Sequence, residues 1–140
     1  MRLPGRSPDE LEIQVVEVLS EGVGRGDVAL SLRVSGTNFR FEEDRLWVGR
    51  EALAAFLTEF EHLTRIRSGR ASLHFLSLHV LEFFTLEGTS DLAVHGRFTS
   101  FTRIGTVTLP TTVDFHTSLD GEFVEQAGAE FRRLFRELPF

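Results

Sequence analysis

Apolar and polar positions follow two periods along this chain, and the same order of periods occurs twice. The run "LEIQVVEVLS" (11–20) is rich in β-branched residues, with Ile13 and Val15 on one parity and Val16 and Val18 on the other. A bulge, or burial on both faces, would explain that switch. "EGVGRGD" reads as a turn, because its glycines permit positive φ. "DVALSLRVSG" (27–36) then alternates cleanly: Val28, Leu30, Leu32 and Val34 face one way, with Ser31 and Arg33 on the other. That is the pattern of a half-buried strand. "TNFRFEEDRLWVGR" predicts Phe39 and Phe41 on one parity, an acidic turn at 42–44, and an apolar return through Leu46, Trp47 and Val48.

A helical period begins near Arg50, where Leu53, Phe56, Leu57, Phe60 and Leu63 recur on one face. Glu51, Thr58, His62 and Arg65 take the opposite side, with Glu59 on the flank, and Gly69 supplies a stop. Four more strand-like runs follow. "ASLHFLSL" shifts parity after Phe75, which predicts a bulge or turn near 76–79, and "HVLEFFTLEG" is apolar on both faces and so central. "SDLAVHGRFTS" points Leu92, Val94 and Phe98 inward, with Gly96 leaving room for a close neighbour. "GTVTLPTTVDFHT" places Val107, Leu109, Val113 and Phe115 on one parity, with Pro110 marking an edge or a break.

A second helix is predicted over 118–138, with Ser118 as its N-cap and Asp120 and Glu122 in the first turn. Its stripe is Phe123, Val124, Ala127, Phe131, Leu134 and Phe135; Arg132, Arg133 and Arg136 suit its negative end, and Pro139 ends it. Gly128 inside it predicts close packing. The order β-β-β-β-α-β-β-β-β-α with short connections predicts an α+β domain: an antiparallel sheet of about six to eight strands with two amphipathic helices packed on one face. Residues 1–10 read as a flexible polar tail, and 11–140 as a single domain.

Composition narrows the functional classes. At 140 residues, 41% hydrophobic, the chain can fill one core without staples, and 14 phenylalanines would dominate it. Cysteine is absent, which removes disulfides, thiolate nucleophiles and Cys-ligated metals. No apolar run approaches membrane-spanning length, and the N-terminal segment lacks the apolar run of a secretory signal, so a cytoplasmic protein is expected. The net charge of −6 disfavours phosphate backbones and hence nucleic acid, and suits a basic partner.

Candidate chemistry is sparse. Five histidines (His62, His74, His79, His95, His116) could supply ligands; His74, His95 and His116 share the outward parity of separate strands and could meet with Asp114. Scattered surface histidines are the simpler reading, and no metal or cofactor is expected. Glu82 lies in the most apolar strand; it is either a buried acid or an outward carboxylate paired with an arginine such as Arg97. His116 and Ser118 lack the glycines of a nucleophile elbow, and "GVGRGD" lacks a following helix to hold phosphate. The acidic "EEDR" run beside an exposed Trp47 or Phe39 would have the chemistry of a protein-binding patch; a solvated hairpin with Trp47 in the core is the simpler reading.

The runs "LWVGREALAAFLTEFEHL", "ASLHFLSLHVLEFFTL", "DLAVHGRF" and "VDFHTSLDGEFVEQAGAEF" together resemble WapI-family immunity proteins and related small bacterial domains of unassigned function, over about residues 11–136. The junction "HTSLDGEF" departs from the acidic, Gln-containing form associated with that family. The resemblance implies a bacterial, non-enzymatic, cytosolic protein that neutralises a cognate toxin domain by contact, without a cofactor. A basic toxin domain would suit the acidic surface. The candidate protein-binding residues are Glu42, Glu43, Asp44, Glu59 and His62. The alternatives are a small-ligand carrier or enzyme with a Phe-lined pocket and Glu82 as its polar group, and an assembly module acting through a free sheet edge. Oligomeric state is not legible in the sequence.

Overall fold

The computed structural model describes residues 1–5 and 9–135. Its elements are β1 (Arg2–Pro4), β2 (Glu10–Val18), β3 (Val28–Ser35), β4 (Arg40–Val48), α1 (Arg50–Ile66), β5 (Arg70–His74), β6 (Val80–Thr85), β7 (Leu92–Ile104), β8 (Val107–Leu119), a 3-10 turn (Gly121–Phe123) and α2 (Val124–Phe135). From β5 onward the strands are those expected; before α1 the number four is reached differently, because 2–4 adds a strand and the expected return within 39–48 is one continuous strand. The fold is α+β. The eight strands divide into two antiparallel sheets of four, β1-β2-β3-β4 and β5-β6-β7-β8, each in sequence order. Connections this short allow only hairpin pairing, so each sheet is a meander. Each meander is followed by its helix, an architectural repetition without a sequence repeat.

The opening residues are not a loose tail. They form β1, paired with β2 through Arg2↔Glu12 and Pro4↔Glu10, and the Met1 ammonium donates to the Ile13 carbonyl at 2.9 Å. Leu3 is buried, which explains the anchoring. The parity switch in β2 is a bulge between Val15 and Glu17.

The helical stripe forms as expected: Leu53, Phe56, Phe60 and Leu63 are buried in α1, with Leu57 half-buried. The helix begins after Gly49 without a side-chain cap of its own; Asp27, the residue before β3, accepts the Arg50 N–H instead, at 3.2 Å. Arg67, not Gly69, takes the left-handed position that ends α1, at φ 60°. Its guanidinium donates to the Ser90 and Gly121 carbonyls, each at 3.3 Å, tying the helix end to two turns. The second helix starts later than predicted. Ser118 stays in β8, and Asp120 is the cap, accepting from the Glu122 N–H at 3.0 Å. The predicted end of that helix, with Arg136 and Pro139, lies outside the described residues.

One core joins both sheets and both helices, but its aromatic rings form two groups. Phe56 and Phe60 of α1, Phe83 of β6 and Phe131 of α2 pack at 4.8–5.8 Å between centroids, mostly edge to face. Phe39 and Phe41, flanking the start of β4, pack on Phe98 and Phe115 at 4.6–5.6 Å and so join the two sheets. Edge-to-face and offset rings each add about 0.5–1.5 kcal/mol beyond their buried area. Gly96 has the expected close neighbour: an added Cβ would lie 2.2 Å from Cζ of Phe115. Gly128 is less tight, with its nearest foreign atom, Oγ1 of Thr64, 3.5 Å from an added Cβ.

Trp47 is not in the core. Leu46 and Val48 point inward, which turns Trp47 to the other face, where it is half-buried. Its carbonyl accepts from the Leu76 N–H at 2.7 Å and so links β4 to the β5–β6 loop. The strand-to-helix junction is therefore a packing corner held by Asp27 and by Phe56 and Phe60.

Candidate functional site

The five residues singled out for protein binding fall in two places. Glu42, Glu43 and Asp44 belong to β4 itself, the edge strand of the first sheet, rather than to a turn. The strand continues because Phe41 and Leu46 both pack inward, and the extra residue between them is taken up by a register shift opposite Leu30–Leu32. Glu42 is occupied by two arginines, Arg33 at 3.2 Å and Arg40 at 2.5 Å. Glu43 and Asp44 are exposed, with no ionic partner among the described residues.

Glu59 and His62 are exposed on α1, which packs mainly on β5 and α2 rather than beside the acidic strand. Glu59 accepts the Ser72 N–H at 3.3 Å on the open edge of β5, and thus covers that edge. The structure keeps the strand residues and the helix residues apart as two patches.

The outer face of the second sheet does assemble titratable groups. Register places Glu82 opposite His95, and His95 opposite His116, in one row; His74, Val80, Arg97 and Asp114 form the next. The imidazoles of His95 and His116 stack at 4.6 Å, nearly parallel. His95 Nε2 bonds the Asp114 carboxylate at 2.9 Å, and Arg97 donates to the same oxygen at 3.1 Å. These contacts, the His95 bond first, hold the Asp114 carboxyl below its ordinary 3.8. Glu82 faces outward and pairs with Arg70 at 3.0 Å, so its arginine is Arg70, while Arg97 serves Asp114.

His95 and His116 therefore meet, as their shared parity allowed, but His74 stands off on β5, opposite Val80 and two strands from Arg97. Among the described residues, no group of three or more His, Asp or Glu side chains has the arrangement of a metal site. The carboxylates here hold arginines and a histidine on an open face, which is the chemistry of a salt-linked surface. Ser118 donates to Asp9 at 2.8 Å, and this bond closes the joint between the end of β8 and the residue before β2.

Two shallow clefts lie elsewhere. One, of about 220 Å³, is lined by Arg2, Glu10, Glu12, Arg33, Ser35 and Arg40; Arg2 is held by Glu10 and Glu12 at 2.9 and 3.3 Å, and Arg33 by Glu42. The other, of about 300 Å³, lies between α1 and α2 with Glu61, Thr64, Arg65, Glu125 and Arg132 around it. Neither includes Glu82 or a phenylalanine.

The feature that strand parity missed is an exposed arm. Every residue from 100 to 114 is exposed, because β6 ends at its Val80↔Arg97 pair and leaves the β7–β8 hairpin to project alone. Phe101, Ile104, Val107, Leu109 and Val113 are 41–61% exposed there. His79 marks the base of the arm: its Nδ1 accepts the Thr99 N–H at 3.0 Å, and its ring packs on Phe98. The exceptional length of the two strands, through Ile104 and from Val107, was the available signal.

No helix among the described residues is long and apolar enough to cross a membrane. No protein-family model matches the chain, and comparison with curated proteins and with solved structures finds no significant match.

Proposed function

We propose that this is a non-enzymatic binding protein of the immunity type, which neutralises a basic partner domain by contact through its acidic β4 edge. The observation that carries the reading is the exposed pair Glu43–Asp44, left without cationic partners among the described residues where the neighbouring Glu42 has two. An acidic pair on a strand edge offers a basic partner both Coulomb attraction and accessible backbone groups. The overall charge of −6 would speed the encounter. His62 and Glu59 form a separate, secondary patch, with Glu59 partly committed to β5.

The small-ligand alternative has less support, because Glu82 points away from the Phe83 side of its strand and is neutralised by Arg70.

The test is calorimetric titration with the C-terminal domain of a secreted protein encoded by the adjacent gene. Binding that weakens at least about tenfold in a Glu43→Arg/Asp44→Arg variant, and with rising salt, supports the reading. An adjacent gene of another kind, or binding indifferent to those changes, overturns it.

A further inference from the structure

We propose that the β7–β8 arm is a self-association element, through which two copies of the chain pair their β7 edges about a two-fold axis at Thr102. This proposal is independent of the β4 surface.

The arm has two free edges, and they differ. Thr99 sends its N–H away from β8, to His79, so by alternation Phe101 and Arg103 also present their N–H and carbonyl groups on the open β7 edge. On the other edge Ser118 sends its N–H outward to Asp9, so the even-numbered residues of β8 face away from β7. Pro110 is one of them and has no N–H to offer, which blunts that edge. A strand adding to the arm therefore joins β7.

The chemistry of that edge fits a second copy. In an antiparallel β7–β7 pair centred on Thr102, Phe101 lies opposite Arg103 of the other copy, and Arg103 opposite its Phe101. The two residues share one face of the arm with Pro110 and Thr108. Each guanidinium thus meets an aromatic ring, and the contact occurs twice by symmetry. Arg103 is the only charged residue between Phe98 and Val113, so two chains of charge −6 can approach here without bringing their carboxylates together. On the opposite face Ile104, Val107, Leu109 and Val113 continue the inward parity of Phe98 and Phe115. Pairing widens that bare apolar stripe into a four-stranded surface, whereas a lone two-stranded hairpin is marginal in water. An interface confined to the arm falls at the small end of the range, below about 1,200 Å² in total, so weak and concentration-dependent pairing is expected.

The chain contains no cysteine, which makes the test clean. Thr102 would sit opposite itself in a non-hydrogen-bonded pair, at about 4.5 Å between Cα atoms, within disulfide reach. Sedimentation equilibrium on the full chain at up to about 100 µM should show a dimer. Air oxidation of the Thr102→Cys variant should give a disulfide-linked dimer at least about tenfold faster than Thr58→Cys, an exposed control on α1. Phe101→Ala and Arg103→Ala should each weaken pairing, and the double variant should cost less than the sum of the two. Arg103→Pro, which removes an outward N–H and leaves the β7–β8 ladder intact, should abolish it. A chain monomeric at that concentration, or a dimer that survives Arg103→Pro with Thr102→Cys no faster than its control, overturns the proposal.

Discussion

The two ends of the β7–β8 hairpin share one ladder and one alternation, yet only one end is covered. From Leu92 to Phe98 and back from Phe115 to Leu119, the inward residues pack against β4, the helices and one another. From Ser100 to Asp114 the same parity carries Ile104, Val107, Leu109 and Val113 into open solvent. Neither pairing nor pattern changes at Phe98; the neighbours do, because β6 stops at Val80 and the ring of Phe41 lies beside Phe98. A strand's apolar face shows which side would be buried, while other parts of the chain decide whether it is.

The sharpest way to break this contrast is to truncate side chains on either side of the boundary. Phe115→Ala should cost about 3–4 kcal/mol in chemical denaturation, because a ring buried against Gly96, Phe41 and Phe98 leaves a cavity. Val113→Thr, two residues along on the same face, should change stability by under about 0.5 kcal/mol in dilute protein. Comparable losses at both sites would mean the arm is covered after all.

Glycines give the next effect, with opposite signs. Gly96→Ala should destabilise by about 2–3 kcal/mol, since its methyl overlaps the Phe115 ring, and Phe115→Leu should partly rescue it. Gly128→Ala should stabilise by up to about 1 kcal/mol, because Thr64 leaves ordinary contact distance and alanine is the better helix former. Thermal melts of the two variants should move in opposite directions.

The smallest effect comes from the outer face near the boundary. Asp114 binds its proton less readily in the folded protein than in the unfolded chain, because His95 and Arg97 hold the carboxylate. Its stabilisation is therefore present above pH 3.8, the ordinary value, and fades as pH falls through the lower folded value. Wild type and Asp114→Asn should accordingly converge in stability in acid, and a gap that widened there would contradict the His95–Asp114–Arg97 linkage.

Much of the architecture was legible in residue spacing. The stripe of α1, the alternation of β3, the bulge in β2 and the tight place at Gly96 are local properties, and each formed as its pattern implied. Three of the misreadings were decided by partners distant in sequence. The polar opening residues became a strand because β2 offers Leu3 a buried slot and Met1 a carbonyl. The acidic run stayed in β4 because its flanks are anchored by Leu46 and Val48 inside and Phe41 against the second sheet. Ser118 was held in β8 by Asp9, more than a hundred positions away in the chain, so the cap passed to Asp120. Of the candidate site, parity allowed His74, His95 and His116 to meet with Asp114; His95 meets His116 and Asp114, His74 does not join them, and Arg70 rather than Arg97 takes Glu82.

The central claim is that burial along the β7–β8 hairpin ends at Phe98 and leaves the arm as bare surface. Residue-resolved amide hydrogen exchange, at a concentration low enough to keep chains apart, tests it most directly. The even-numbered amides of β7 all point into the β8 ladder, so they differ only in what covers them. Protection at Val94, Gly96 and Phe98 should exceed that at Ser100, Thr102 and Ile104 by at least about a hundredfold. Uniform protection from Val94 to Ile104 in dilute solution would contradict the claim.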